Sequence, residues 1–593
     1  MLSRPDTLSP ASASMPPSMR ALLRLSTAIT APRAASAGSS AECALTGGPN
    51  PDETDPGDAG LGDAGLGDAG LGDAGLGDAG LGDEAGPRPA ARTAARILAA
   101  ALAAASASAC MVGPDFQGAT PPPVSRYTRE SLRNPDTSAE DRRNGAPGQT
   151  FAIGRDVPGE WWTLFRSKAL NGLVTEALAR NPNLEAAQAS LRAARATTEA
   201  QRGALFPQVG FNSQASYNKA PGGDLQSPLN DNSLLYSLVT PQVTVSFAPD
   251  VFGGTRRALE SQAAQAEGQL WQLEAAYLTL SSNVVAAAIQ EASLRAQIAA
   301  TEKVIQAQTD LLNLITKQQN AGQVAGADVV QQTALLAQSQ QLLPPLQRAL
   351  AQQRNLLTAL AGRFPSEEVS QTFTLASLHL PRTLPVSLPS RLIEQRPDVK
   401  AAEAAVHAAS AQVGVAVANR LPQFTISGAV GASATNFAGL LNPAASLWTI
   451  AGAVAQPLFD GGTLFRRQQA AEENLVAAQA QYRATVITAY QNVADALRAL
   501  QADGRAVAAA NAAAKASQQS VELVRKQFGL GAVSSASLLI TQSAYLQAVV
   551  TQAQAQANQY ADTAALFQAL GGGWWNRRDV KPARDPKDPA PFL

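Results

Sequence analysis

The stretch Thr255–Asn320, TRRALESQAAQAEGQLWQLEAAYLTLSSNVVAAAIQEASLRAQIAATEKVIQAQTDLLNLITKQQN, decides the fold. Its 66 residues hold no proline and one glycine, Gly268. Alanine, glutamine, leucine and glutamate dominate, and helices tolerate or favour all four. One helix of that length runs roughly 100 Å, far beyond the usual three turns. Glu260, Glu267, Glu274, Lys303 and Asp310 interrupt it, so no window of about 20 residues is uniformly apolar and it does not read as a membrane span. A helix this long in water has to lie against others.

A second copy follows. Thr463–Phe528 is another proline-free stretch of 66 residues with one glycine, Gly504. The flanks repeat as well: Leu205-Phe-Pro-Gln208 returns as Arg420-Leu-Pro-Gln423, and Asn181-Pro-Asn183 as Arg396-Pro-Asp398. Phe252-Gly-Gly254 is answered by Phe459-Asp-Gly-Gly462, and Gly322-Gln-Val324 by Gly531-Ala-Val533. Landmarks at near-constant spacing mean duplication and one elongated body of two similar halves. A formal net charge of −1 and the lack of a basic patch with interleaved aromatics exclude nucleic acid as a partner. The 5% aromatic content suits thin layers of small side chains between close helices.

Before each long stretch the period changes. Val209, Phe211, Ala215 and Tyr217 alternate with Gln208, Asn212, Gln214, Ser216 and Asn218, which is strand spacing. Gln242–Phe247 alternates in the same way, and the second half repeats both at Gln423–Ala434 and Trp448–Val454. About eleven residues tilted near 45° span a band of roughly 25 Å, the height of a transmembrane barrel. A soluble hairpin with one wet face alternates equally well, so period alone leaves the two open. Four strands cannot close a barrel, and open edges in lipid leave backbone groups unsatisfied. If the strands enter a bilayer, several chains must pool them, and three chains supply about twelve.

The boundaries divide the chain as follows. Residues 1–90, with five tandem Gly-Asp-Ala-Gly-Leu copies at Gly57–Leu81, are a disordered extension or lie outside the true start. Residues 91–109, with Arg92 and Arg96 before thirteen apolar or small residues, read as a signal peptide. Cys110 after Ala107-Ser-Ala109 fits a lipid-attachment cysteine; cleavage by an ordinary signal peptidase would give the same start without lipid. An extended arm (110–158) leads to the first repeat (159–362), a proline-bearing connector (363–389), the second repeat (390–573) and a disordered tail (574–593). The helix returning after the turn at Gly322 is expected to be kinked or interrupted at Pro344-Pro345.

No chemistry of catalysis is visible. The two histidines, His379 and His407, have no neighbouring metal-ligand set or nucleophile motif, and Gly461-Gly462 lack the spacing and lysine of a P-loop. Neither an enzyme nor a cofactor is expected.

With these residues in hand, the chain resembles the outer membrane factors, the TolC-like channel proteins, in their lipoprotein, NodT-like branch that serves tripartite efflux systems. The resemblance covers about Cys110 to Gly573. It rests on Cys110-Met-Val-Gly-Pro-Asp-Phe116, Trp161-Trp-Thr-Leu-Phe165, Arg396-Pro-Asp-Val399 with Glu403, Gln456-Pro-Leu-Phe-Asp-Gly-Gly462 and Tyr490-Gln-Asn-Val-Ala-Asp-Ala-Leu497. It implies a mainly α fold with a small β part: duplicated long-helix hairpins forming a trimeric periplasmic α-barrel, joined to a shared 12-strand outer-membrane β-barrel. It further implies a homotrimer in outer-membrane lipid, docked to a periplasmic adaptor (a membrane fusion protein) and an inner-membrane pump of the resistance-nodulation-division type. The implied function is a passive duct for drugs or other small molecules, with a type I protein secretion duct as the alternative. The turns carrying Gly322, Val324, Asp328, Gly531 and Val533 resemble the family's periplasmic tip, where the tunnel closes and the adaptor binds. Asp328 matches a tip aspartate of several relatives; as a residue after a turn it reads equally as a helix N-cap. The second turn, Ser534-Ser-Ala-Ser537, has no acid, so an acidic aperture ring is not carried over.

Overall fold

In the computed structural model, residues 111–118, 120, 122–130, 134, 148–219 and 235–577 are described, all within one unit, Gly86–Leu593. The extension, the signal segment, Cys110 and residues 578–593 lie outside them. The described elements run β1 (Thr150–Ile153), α1 (Lys168–Arg180), α2 (Pro182–Arg202), β2 (Gln208–Lys219), β3 (Leu235–Phe247), α3 (Gly254–Asn320), α4 (Gly326–Gln341), α5 (Leu343–Leu360), β4 (Thr383–Val386), α6 (Pro389–Gln395), α7 (Pro397–Ala418), β5 (Gln423–Ala432), β6 (Ser446–Ala455), α8 (Thr463–Gly529) and α9 (Ser535–Ala569).

Both long stretches are single helices, and each is 67 residues long. Their starts share one device. Asp250 accepts from the backbone N–H groups of Thr255 (3.0 Å) and Arg256 (2.8 Å). Asp460 accepts from Gly462 (2.9 Å) and Leu464 (2.7 Å) in the second copy. A carboxylate on the first free N–H groups satisfies them and complements the helix dipole. The returning chain splits at Leu342, and Pro344 and Pro345 fall in the first turn of α5. There the missing N–H groups are not needed, so the prolines start a helix instead of kinking one.

The helices approach closely because small residues face each other. Ala404, Ala408, Ala411, Gly414 and Ala418 recur along α7, and the Ser261 hydroxyl of α3 donates to the Ala408 carbonyl at 3.1 Å. Among the described residues α7 is the one helix long and apolar enough to cross a membrane. Its apolar character comes from these alanines, glycines and valines, which pack it against α3 and α8. The thick core lies elsewhere. Trp161 stacks over Phe567 at 5.5 Å, Phe165 over Tyr560 at 6.2 Å, and Phe373, Leu384 and Leu392 close around them.

Two boundaries differ from the sequence reading. The connector is not a bare link: β4 within it pairs in parallel with β1 of the arm, Thr150 opposite Thr383 through Ile153 opposite Val386. The arm and connector thus form one two-stranded sheet beside the core. Residues 574–577, which the sequence reading gives to the tail, are packed against the body. Trp574–Asn576 forms a 3-10 turn, the Trp574 indole donates to the Gln395 carbonyl at 2.7 Å, and Arg577 pairs with buried Glu274 at 3.2 Å.

Candidate functional site

The four longer strands form one antiparallel sheet in the order β2-β3-β5-β6. Its register sorts the side chains by face. Phe211 stands opposite Val243, Val243 opposite Val430, and Val430 opposite Trp448, so four apolar residues form one row across all four strands. The next row on that face reads Val209, Val245, Gly428 and Ile450. The other face carries Gly210, Thr244, Ala429 and Thr449, then Asn212, Gln242, Gly431 and Leu447. Nearly all of the apolar face is exposed, Trp448 to 77%. A soluble hairpin turns its apolar face inward; here the apolar face has no protein over it in the single chain. β2 and β6 are both edges. The central β3–β5 ladder runs from Gln242–Gly431 to Phe247–Ile426 and resumes as a bridge between Val239 and Ala434. Pro241 lies in the gap, where it has no N–H to give.

Where the sheet meets the helices, Arg257 gathers the arm. This guanidinium is 2% exposed and donates to Asp115 (2.6 Å), Glu260 (2.8 Å) and the Val112 carbonyl (3.1 Å). The Val112 N–H in turn donates to the Phe252 carbonyl at 3.2 Å. Phe116 stacks on His407 at 4.3 Å, and the His407 ring lies 2.9 Å from Glu260. Gly414 has to be glycine: a Cβ there would sit 2.8 Å from the Arg257 side chain and 2.9 Å from the Val112 carbonyl. The residues directly after Cys110 are therefore held beside the first turn of α3, next to the sheet. Sequence reasoning missed Arg257; Glu260 lies three residues on along the same helix, but Asp115 lies 142 residues away in the arm.

The opposite ends of α3 and α8 carry the five tip residues. Each helix ends in a Schellman motif. Gly322 (φ 72°) donates to Gln319 at 2.8 Å and Gln323 to Gln318 at 2.8 Å; Gly531 (φ 71°) donates to Phe528 at 3.0 Å and Ala532 to Gln527 at 2.9 Å. The left-handed turn favours glycine and satisfies two carbonyls that the helix leaves open. Val324, Asp328, Gly531 and Val533 line one shallow cleft of about 440 Å³ between the two turns, and Gly322 is not part of its lining. Beneath it Leu311, Ile315, Leu538 and Leu539 make a small separate core, with Val324 and Phe528 against it. The N-cap reading of Asp328 does not hold. Ala325 is the N-cap of α4, Asp328 lies in the first turn, and its carboxylate accepts from the Ser535 hydroxyl of the other turn at 2.9 Å. Ser535, unremarked in the sequence, is what ties the two turns together.

Two further acids meet between α8 and α9. Asp503, half-buried, faces Asp562, and one of its oxygens has no hydrogen bond. Burial, then the neighbouring Asp562, pushes the Asp503 carboxyl up to about 7. A raised carboxyl favours the protonated fold, so this contact is strongest at low pH and weakens as pH rises through about 7. Asp503→Asn is expected to raise the melting temperature at pH 8 by about 1–2 °C, since roughly 1 kcal/mol shifts a domain of 150–250 residues by about 2–4 °C and this unit is about twice as long, and to change it little near pH 4, where the unfolded chain is also partly protonated. Equal melting of variant and parent at both pH values would remove this role. Among the described residues no group of three or more His, Cys, Asp or Glu is placed to hold a metal. His407 serves the arm, and the His379 N–H donates to the Phe165 carbonyl at 2.9 Å.

This arrangement of an open sheet with an exposed apolar face on duplicated 67-residue helices has a known family. The sequence matches that of the outer membrane efflux proteins over residues 173–363 and 388–572. The chain is an outer membrane efflux protein. It is 29% identical to the pyoverdine export outer membrane protein OpmQ of Pseudomonas putida over 416 residues, 70% of this chain and 88% of that one. It is 28% identical to the toluene efflux pump outer membrane protein TtgF of Pseudomonas putida over 481 residues, covering 79% and 95%. Its structure is similar to the outer-membrane channel OprN (TM-score 0.68, 26% identity, covering 78% and 100%). It is also similar to the outer membrane protein VceC of Vibrio cholerae (0.65, 25%, 70% and 100%). The apolar rows of this efflux protein therefore belong to an outer-membrane channel, and the long helices to its periplasmic tunnel.

Proposed function

We propose that the protein works as a homotrimeric, lipid-anchored exit duct for small molecules. Three copies pool four strands each into a 12-strand barrel, and their helices into the tunnel below. The observation that carries this reading is the open sheet with two unpaired edges and one exposed apolar face. In hydrocarbon each unsatisfied backbone group costs several kcal/mol, so β2 of one copy has to pair with β6 of the next. Lipid on Cys110 fits the same geometry, because Met111–Phe116 is held by Arg257 beside the sheet. The tip cleft around Val324, Asp328, Gly531 and Val533 is where a periplasmic adaptor would dock, with an inner-membrane pump of the resistance-nodulation-division type behind it. Small-molecule cargo is supported by relatives named for exporting pyoverdine and toluene.

The test is fractionation. Outer membranes are separated from inner ones, and mildly solubilised, unheated sample is run beside the heated one and beside Cys110→Ser. A heat-labile trimer in the outer membrane, with Cys110→Ser losing the incorporated acyl label, is the expected result. An exported soluble monomer would overturn the barrel, and an unchanged label in Cys110→Ser would overturn the anchor.

A further inference from the structure

A cleft of about 1120 Å³ lies between the arm, the connector and α9. Its wall includes three arginines, Arg155, Arg166 and Arg382, together with His379. None of the three arginines has an ion pair or side-chain hydrogen bond among the described residues. The one acid in the wall, Asp156, is already occupied. It accepts from both sides of its carboxylate from the Trp575 indole at 3.1 Å, from the Val157 N–H at 3.1 Å and from the Gln395 amide at 3.4 Å. Those donors are neutral and leave its charge in place, so the described wall carries three guanidinium groups against one carboxylate.

The wall is also firmly built. Arg166 is the one described residue other than glycine with a positive φ, 50°, set by its N–H donating to the Thr163 carbonyl at 3.0 Å. The next carbonyl back, that of Phe165, accepts from His379, which fixes the connector beside Arg166. The Thr150 N–H holds the Arg382 carbonyl at 2.8 Å, and the Gln149 amide holds that of Pro381 at 3.1 Å. All three arginine side chains are exposed at the cleft, and a guanidinium fork matches a carboxylate with two parallel bonds.

We infer that this cleft binds an extended acidic peptide segment of a periplasmic protein, through carboxylates on Arg155, Arg166 and Arg382. A peptide fits better than a free anion for two reasons. The volume far exceeds one oxyanion, and Leu164, Leu378 and Pro385 in the same wall offer apolar surface to peptide side chains. Membrane headgroups are out of range. Gln395, which touches Asp156, precedes α7, whose 22 residues span roughly 33 Å before β5 begins. All of the named lining residues belong to one chain.

The test uses the purified full chain in detergent and a fluorescein-labelled hexaglutamate peptide, read by anisotropy at low and physiological salt. Arg166→Ala/Arg382→Ala is expected to weaken binding at least about tenfold, and Arg166→Lys/Arg382→Lys by several-fold, because an ammonium cannot fork. Arg348→Ala/Arg525→Ala, remote from the cleft, should bind as the parent does. If the alanine pair does not fold, Arg166→Gln/Arg382→Gln with unchanged melting takes its place. Unchanged affinity in the cleft variants, equal loss in the remote pair, or displacement by phosphatidylglycerol vesicles or a sulfated oligosaccharide more effectively than by unlabelled hexaglutamate would overturn the proposal.

Discussion

Replacing Arg354 with alanine is expected to destabilise the fold by about 3–5 kcal/mol, the usual cost of stripping one partner from a buried ion pair. Glu291 on α3 is fully buried, and its carboxylate is held by Arg295 at 2.7 Å and Arg354 at 2.8 Å. Arg354 also pairs with Glu368 and donates to the carbonyls of Val369 (2.7 Å) and Gln371 (3.3 Å). It therefore joins α5 to α3 and to the connector at once. Alanine leaves the buried carboxylate with one cation and frees two connector carbonyls. Chemical denaturation of the full chain measures the loss. The double variant Arg354→Met/Glu291→Met should recover most of it, because no buried charge is left unmatched and the two groups that lose a partner, Arg295 and Glu368, reach solvent. A double variant as unstable as the single one would place the effect in lost packing around Arg354 and not in the stranded charge.

Trp448→Arg is expected to cost about 1–2 kcal/mol of barrel stability, between the roughly 2–4 kcal/mol of a cation at the bilayer midplane and the roughly 0–1 near the interface, because Trp448 stands near one end of its strand. Trp448 ends the apolar row that begins at Phe211, and its strand neighbour Thr449 points to the other face. The readout is the amount of assembled protein in the outer membrane. Thr449→Arg should assemble nearly as well as the parent, since a lumen side chain meets water. If Thr449→Arg fails and Trp448→Arg assembles, the two faces of the sheet are exchanged.

Much of this architecture is legible in the sequence because long regular elements leave long signals. Sixty-six proline-free residues locate α3 and α8 to within one residue at either end. Alternation over six to twelve residues finds the strands, and pairing adds the ends, as with Leu235–Thr240 of β3. What the sequence does not show is contact between distant short pieces. Thr150–Ile153 and Thr383–Val386 have four residues each, too few for a period, and Pro385 argues against a strand where an edge in fact tolerates it. Asp115 and Arg257 are ordinary charges until the arm is laid against α3. Asp503 and Asp562 meet because of how α8 and α9 are rotated, which composition along either helix does not reveal. At the tip, the turns are visible as Gly-x-Val repeats, but the role of Asp328 depends on a serine 207 residues away.

The equal length of α3 and α8 limits how this protein can change. One residue inserted into either helix alone would advance its far end by about 1.5 Å and rotate it by about 100°. That rotation would carry Asp328 and Ser535 away from each other, although neither residue had been altered. Insertions and deletions should therefore survive only when they arrive in both halves together, or in whole turns that the returning helices also adopt. A duplicated gene that must stay level at both ends is free to vary its surface and its loops, and is held to one length.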